Sequence, residues 1–113
     1  MQSIEFPRIM DDTLTAFNHP IRQKIVQALA EQGQNGMTYR EILAKFPMWN
    51  RRLISHLTIL SNGAIIARYI GTRNGHPSVV FQVTDFGLKF IANLVTIFRF
   101  PWIAVEPPQP KTA

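Results

Sequence analysis

The spacing of apolar residues along the chain is helical over most of its length, strand-like over one short stretch, and helical again at the end. From Ile21 to Ala30, the residues Ile21, Ile25, Val26, Ala28 and Leu29 form a stripe at helical spacing, with Arg22, Gln23, Lys24 and Gln27 facing outward. Asn18-His19-Pro20 marks where this helix starts, because proline at an early helical position gives up an N–H that has no partner there anyway. His19 is expected to cap the helix and to pack beneath it. Upstream, Asp11 or Asp12 is expected to cap a first helix carrying Leu14 and Phe17. Residues 1–10, with Ile4, Phe6, Ile9 and Met10, fit an extended arm or a short helix, and Gln32 to Gly36 reads as a loop.

The stretch from Thr38 to Gly63 predicts two short helices joined by a tight connection. Thr38 and Glu41 are spaced as a capping box, in which the hydroxyl accepts from an early helical N–H and the carboxylate reaches back to the cap. Ile42, Leu43 and Phe46 make the apolar stripe of the first helix, which ends before Pro47. Met48, Leu53, Leu57 and Leu60 make that of the second, with Asn50, Arg51, Arg52, Ser55 and Thr58 largely between them. Trp49 is read as an apolar plug under this helix, and Asn62-Gly63 as its left-handed C-cap. A helix pair whose second member opens with polar and basic side chains is the pattern of a helix-turn-helix; any helical hairpin with arginines on its outer face would share it.

After Gly63 the period becomes that of strands. Ala64 to Ile70 and Val79 to Val83 are rich in β-branched and aromatic residues, and Asn74-Gly75 between them is a strong hairpin signal. The intervening segment, residues 71–78, places Arg73 and His76 at the hairpin tip. Thr84-Asp85 then caps a last helix, about Asp85 to Phe98. Phe86, Leu88, Phe90, Ile91, Leu94, Val95, Ile97 and Phe98 nearly encircle that helix, so it must be buried on more than one face. A homodimer partner is the first expectation for the second face; the tail Arg99 to Val105 folding back, or a membrane surface, are the others. Trp102 is read as an anchor onto the helices or the partner, and Glu106 to Ala113 as a Pro-rich extended tail.

Composition and charge narrow the function. At 113 residues the chain is one domain with a tail: a domain over 1–98 that includes a dimerisation helix, then an apolar and Pro-rich segment over 99–113. Cysteine is absent, which excludes disulfides and thiolate chemistry and fits a reducing, cytoplasmic setting. No secretory h-region is visible, and no apolar run reaches the roughly 20 residues that span a membrane. The formal charge is +5, and no Asp or Glu occurs between Ile42 and Thr84, where Lys45, Arg51, Arg52, Arg68 and Arg73 all lie. An acid-free basic segment suits a polyanion, since a carboxylate there would repel phosphate. No nucleophile triad, phosphate loop or carboxylate pair is present, so no enzyme activity and no cofactor are expected.

The chain resembles the ArsR-like winged helix-turn-helix regulators in three motifs. The first is Ala16-Phe17-Asn18-His19-Pro20-Ile21-Arg22 leading into an apolar helix. The second is His56-Leu57-Thr58-Ile59-Leu60 followed by Asn62-Gly63 and a strand, and the third is Val83-Thr84-Asp85-Phe86-Gly87 closing the hairpin. The match runs from about Asp11 to Leu94. It implies a mainly α fold with a small β-hairpin and a prokaryotic, homodimeric regulator that binds sequence-specific double-stranded DNA. In that family's arrangement, a recognition helix over about 50–62 enters the major groove with Asn50, Arg51, Arg52 and Ser55. Thr38, Tyr39 and Arg40 would meet phosphate, while Arg68, Arg73 and His76 of the wing, 71–78, would hold the flanking backbone or reach the minor groove. The dimer interface would use Phe86, Phe90, Ile91, Leu94, Ile97 and Phe98. The cysteine motif and the His/Asp pairs of metal-sensing relatives are missing, so no metal site of those types is expected, and no effector follows from the residues. The chain departs from the family at Ile54, usually small and polar, and at Trp49, often a capping serine. A winged-helix protein-binding module and a non-specific chromosomal DNA-binding protein are the competing readings. His56 is expected to be a packed or capping histidine, and His76 either plain surface or a contact to DNA backbone.

Overall fold

The computed structural model describes residues 8–98. Its elements are α1 (Arg8–Phe17), α2 (Pro20–Gln32), α3 (Tyr39–Lys45), α4 (Asn50–Asn62), the antiparallel strands β1 (Ile66–Arg73) and β2 (His76–Val83), and α5 (Asp85–Phe98). Ile25 and Leu29 of α2, Ile42 of α3, Leu53, Leu57 and Leu60 of α4, Ile65 just before β1, Ile66 of β1 and Ile91 of α5 form one apolar core. The hairpin stands out from this core, so its ladder is carried by backbone pairing more than by burial.

The ends of the first two helices explain a residue that the sequence pattern misplaces. The chain is already helical at Arg8, so Asp11 lies in the first turn of α1 instead of capping it. At the other end, the last carbonyls of α1 each find a donor. Leu14 O accepts from Asn18 N at 3.0 Å and Phe17 O from Gln23 Nε2 at 2.9 Å. Arg22 serves the two between: its Nε donates to Ala16 O at 2.6 Å and its Nη2 to Thr15 O at 3.2 Å. Arg22 was expected to face outward and is instead 8% exposed, because a cation at a helix C-terminus meets both the unpaired carbonyls and the negative end of the dipole. His19 caps α2 as expected, its Nδ1 accepting from Ile21 N at 3.3 Å, with Pro20 in the first turn.

The capping box forms on α3: Glu41 N donates to Thr38 Oγ1 at 3.2 Å and Thr38 N to Glu41 Oε1 at 2.8 Å. Trp49 is not the expected plug. It is 85% exposed at the N-cap of α4, where Leu53, Leu57 and Leu60 already fill the space beneath the helix. The stop of α4 also differs in detail: Gly63 has φ −79°, and the left-handed residue is Ala64 with φ 61°. The segment Gln32 to Gly36, read as a loop, contains a 3-10 turn over Gly33–Asn35.

The hairpin is longer than the apolar pattern suggests. Residues 71–73 and 76–78 are ladder rather than loop, leaving a two-residue turn at Asn74 and Gly75 with φ of 55° and 78°. Positive φ at both turn positions is the type I′ geometry that matches strand twist, and it is why asparagine and glycine stand there. Met37 adds a bridge to Phe81 through paired backbone bonds of 3.0 and 2.8 Å, which fastens the entry to α3 onto the hairpin. At the exit, Thr84 Oγ1 donates to Ala64 O at 2.6 Å and accepts from Gly87 N at 2.8 Å, so one hydroxyl both ties the strand end and caps α5. A Cβ on Gly87 would stand 2.5 Å from Ile65 O; this position has room only for hydrogen.

Ile91, expected at a dimer interface, is 2% exposed in the single chain and belongs to its own core. Phe90 and Leu94 are partly buried against that core, Phe90 edge-on to Phe17 with ring centroids 5.7 Å apart. Phe86 stacks on Phe90 at 6.4 Å and remains exposed, as does Leu88. The side chains of Ile97 and Phe98, the tail over 99–113 with Trp102, and the arm over 1–7 lie outside the described residues.

Candidate nucleic-acid interface

Helix α4 divides cleanly by solvent exposure. Leu53, His56, Leu57 and Leu60 face the core, whereas Asn50, Arg51, Arg52, Ile54, Ser55, Thr58, Ser61 and Asn62 are exposed. Helical spacing puts Arg51, Ser55, Thr58 and Asn62 along the centre of the outward face. Ile54 falls on the flank toward the hairpin. Arg52 falls on the flank toward α2, near enough to His19 and His56 to help keep both imidazoles below their ordinary pKa, after burial, the larger cause. Neither Arg51 nor Arg52 forms an ion pair among the described residues, so both guanidiniums are open to an anion.

The start of α3 is tied to the start of α4. Tyr39 Oη donates to Asn50 Oδ1 at 2.8 Å, which fixes the angle between the two helices at their exposed ends. This bond leaves Asn50 its amide N–H groups for a ligand. Thr38 is half-buried and its side chain and backbone N–H are both taken by the capping box, while Arg40 is exposed. Arg68 and His76 of the hairpin are exposed.

Arg73 stands apart from the other candidates. Its Nη2 lies 3.0 Å from Glu41 Oε1 and its Nε 3.1 Å from Glu41 Oε2, and further bonds run to Thr72 O, Asn35 O and Gly36 O. Arg73 therefore clamps the hairpin to α3, and only a fraction of its donors remain for an outside anion. The Arg73 guanidinium, with the Thr38 N–H, holds the Glu41 carboxyl down to about 2. Sequence reading missed this pairing because thirty-two residues separate the partners.

A groove of about 370 Å³ runs between α4 and the hairpin, lined by Tyr39, Ile54, Leu57, Thr58, Ser61, Asn62, Arg68 and Phe81. Its polar wall is the second half of α4, and its cation is Arg68, which has no carboxylate partner among the described residues. Beneath α4 lies the other missed feature. Arg22 Nη1 is 3.3 Å from His56 Nδ1, and a guanidinium can only donate, so the His56 proton is on Nε2. That Nε2 is buried with no hydrogen-bond partner among the described residues, and the His19 ring meets His56 edge-on with centroids 5.0 Å apart. Burial, then the charges of His19, Arg22 and Arg52, push the His56 imidazole below its ordinary value, which keeps it neutral under the helix.

Among the described residues no group of three or more His, Cys, Asp or Glu could hold a metal ion, and no helix is long and apolar enough to cross a membrane. No family model and no curated protein matches the chain. Among the solved structures similar to it are two transcriptional regulators. One is the transcriptional repressor BigR from Xylella fastidiosa, with a TM-score of 0.58 and 21% identity over 79% of this chain and 82% of that one. The other is an ArsR-like transcriptional regulator from Rhodococcus sp. RHA1, with a TM-score of 0.57 and 15% identity over 83% of this chain and 82% of that one. With five α-helices in this order among the described residues and a two-stranded hairpin between the last two, the chain has the winged helix-turn-helix fold that these structures share.

Proposed function

We propose that the protein is an ArsR-like transcriptional regulator that binds double-stranded DNA with sequence preference and acts as a homodimer. The observation that carries this reading is the outward face of α4. It presents Arg51 and Arg52, without ion pairs among the described residues, beside Asn50, Ser55 and Thr58, on a segment with no carboxylate from Ile42 to Thr84. In the major groove arginine can take guanine O6 and N7, and asparagine the adenine edge. The groove between α4 and the hairpin, with Arg68 on its wall, suits a sugar-phosphate strand, and Arg40 and His76 extend the contact on either side. The fold shared with a transcriptional repressor and an ArsR-like regulator points the same way.

Dimerisation rests on α5 and α1. Phe86 and Leu88 on α5 and Met10 and Leu14 on α1 are large apolar side chains left in water by the single chain, and Phe90 and Leu94 are only partly covered. In this reading the domain over 1–98 carries both functions and the tail over 99–113 is an addition to it. Two recognition helices related by a two-fold axis would read an inverted repeat with half-sites about one DNA turn apart. The setting is the cytoplasm, on the chromosome.

Enrichment of random duplex DNA by the purified protein tests binding and symmetry together: the expected product is an inverted repeat. A winged-helix module that docks a protein is favoured by a different observation, the exposed cross-strand pair Ile70 and Val79 on the hairpin. Absence of retention on calf-thymus DNA at low salt would decide for that module; retention with no enriched sequence would decide for non-specific DNA coating.

A further inference from the structure

Ile54 is 54% exposed on α4, one turn from Arg51 on one side and from Thr58 on the other. Its neighbours along the exposed face are polar or basic, and the core beneath the helix is already filled by Leu53, Leu57 and Leu60. Folding of the chain thus leaves this aliphatic side chain largely in water, at the rim of the groove that Arg68 and Phe81 close from the hairpin side. We propose that Ile54 is a specificity-determining residue that packs on the C5-methyl group of a thymine in the major groove.

The chemistry of the groove edge selects this occupant. Thymine is the base that presents a methyl group there, and contact with it is the way an apolar side chain reads sequence. The surroundings favour DNA over an apolar protein surface: Arg51 and Arg68 flank Ile54 without carboxylate partners among the described residues. Three helical residues rise about 4.5 Å, close to a base-pair step of about 3.4 Å. For a helix lying along the groove, Ile54 then addresses the base pair next to the one that Arg51 addresses.

The inference rests on the DNA-binding reading, and its test separates the two. The site enriched from random duplex DNA is synthesised once with thymine and once with uracil, which lacks the methyl group. Both duplexes are titrated with the wild type and with Ile54→Ala, whose exposed position leaves the core intact. Wild type should bind the thymine duplex about fourfold more tightly for each methyl buried. Ile54→Ala should bind both duplexes equally, and single uracil replacements should place the wild-type loss at one base pair in each half-site. Equal binding of the two duplexes by wild type would overturn the proposal while leaving DNA binding intact, as would an undiminished thymine preference in Ile54→Ala. Failure to enrich or bind any duplex would remove the DNA reading, and the inference with it.

Discussion

Arg73 at the end of β1 and Glu41 in the first turn of α3 are joined by an ion pair of 3.0 Å, with a second contact of 3.1 Å between Nε and Oε2. Because Glu41 also closes the capping box on Thr38, one carboxylate holds the helix start and the hairpin in the same place. The hairpin turn at Asn74 and Gly75 is exposed, and this clamp and the Met37–Phe81 bridge hold the hairpin to α3 and its entry.

Glu41→Gln should loosen that joint. Backbone amides of β1 and β2 near the turn are expected to exchange with deuterium faster than in wild type, while those of α2 and the core half of α4 do not change. The effect should also depend on pH. A carboxyl held at about 2, below its ordinary value of 4.5, stabilises the fold fully above about 4.5, and that stabilisation is lost as pH falls from there toward 2. The melting-temperature difference between wild type and Glu41→Gln should therefore shrink across that window and be constant above it.

His56 predicts a second pH effect at a different place. It is a base with a lowered folded-state pKa, so the unfolded chain takes up protons first as pH falls through the ordinary histidine value of 6.5. The stability it contributes is complete above 6.5 and is lost below, with His19 acting in the same direction. His56→Gln keeps an acceptor for Arg22 and does not titrate, so its melting temperature should fall less between pH 7 and pH 5 than that of wild type. Parallel curves for the two proteins would contradict a neutral buried His56.

Arg22 is predicted to be structural. Its replacement in Arg22→Ala leaves Thr15 O and Ala16 O without their donor at a buried helix end, at a cost of about 1–3 kcal/mol. Urea denaturation monitored by circular dichroism measures the loss. A change within a few tenths of a kcal/mol would mean that water replaces the guanidinium there.

Gly87→Ala tests the close approach at the top of α5. An added Cβ at 2.5 Å from Ile65 O forces the helix start away from the end of the hairpin, and overpacking of this kind costs about 1–3 kcal/mol. The same denaturation experiment checks it, and alanine tolerated at no cost would contradict the packing of α5 against Ile65.

Local chemistry made much of this fold legible in the sequence. The Thr38–Glu41 box, Pro20 after His19, Asn74-Gly75 and Thr84 each involve partners within a few residues, and each forms as the residues suggest. What escaped depends on distant partners. Arg22 reads as an outward charge until the end of α1 is known to need donors, and Arg73 as a free wing cation until Glu41 is placed beside it. Trp49 reads as core until Leu53, Leu57 and Leu60 are seen to fill the space. Of the candidate site, α4 was recognisable because its apolar stripe fixes which residues face outward, whereas the hairpin cations depend on three-dimensional pairing that no periodicity encodes.

The proposed grip of the outward face of α4 on duplex DNA runs through Arg51 and Arg52. Titration of one enriched duplex with wild type and with the Arg51→Ala, Arg52→Ala double variant, at several salt concentrations, tests it most directly. Wild-type affinity should fall steeply with salt. The double variant should bind more weakly by about 1–3 kcal/mol for each arginine that makes a bidentate base contact, or show a shallower slope by about 0.9 for each that neutralises a phosphate. Equal affinity and equal slope for the two proteins would contradict it.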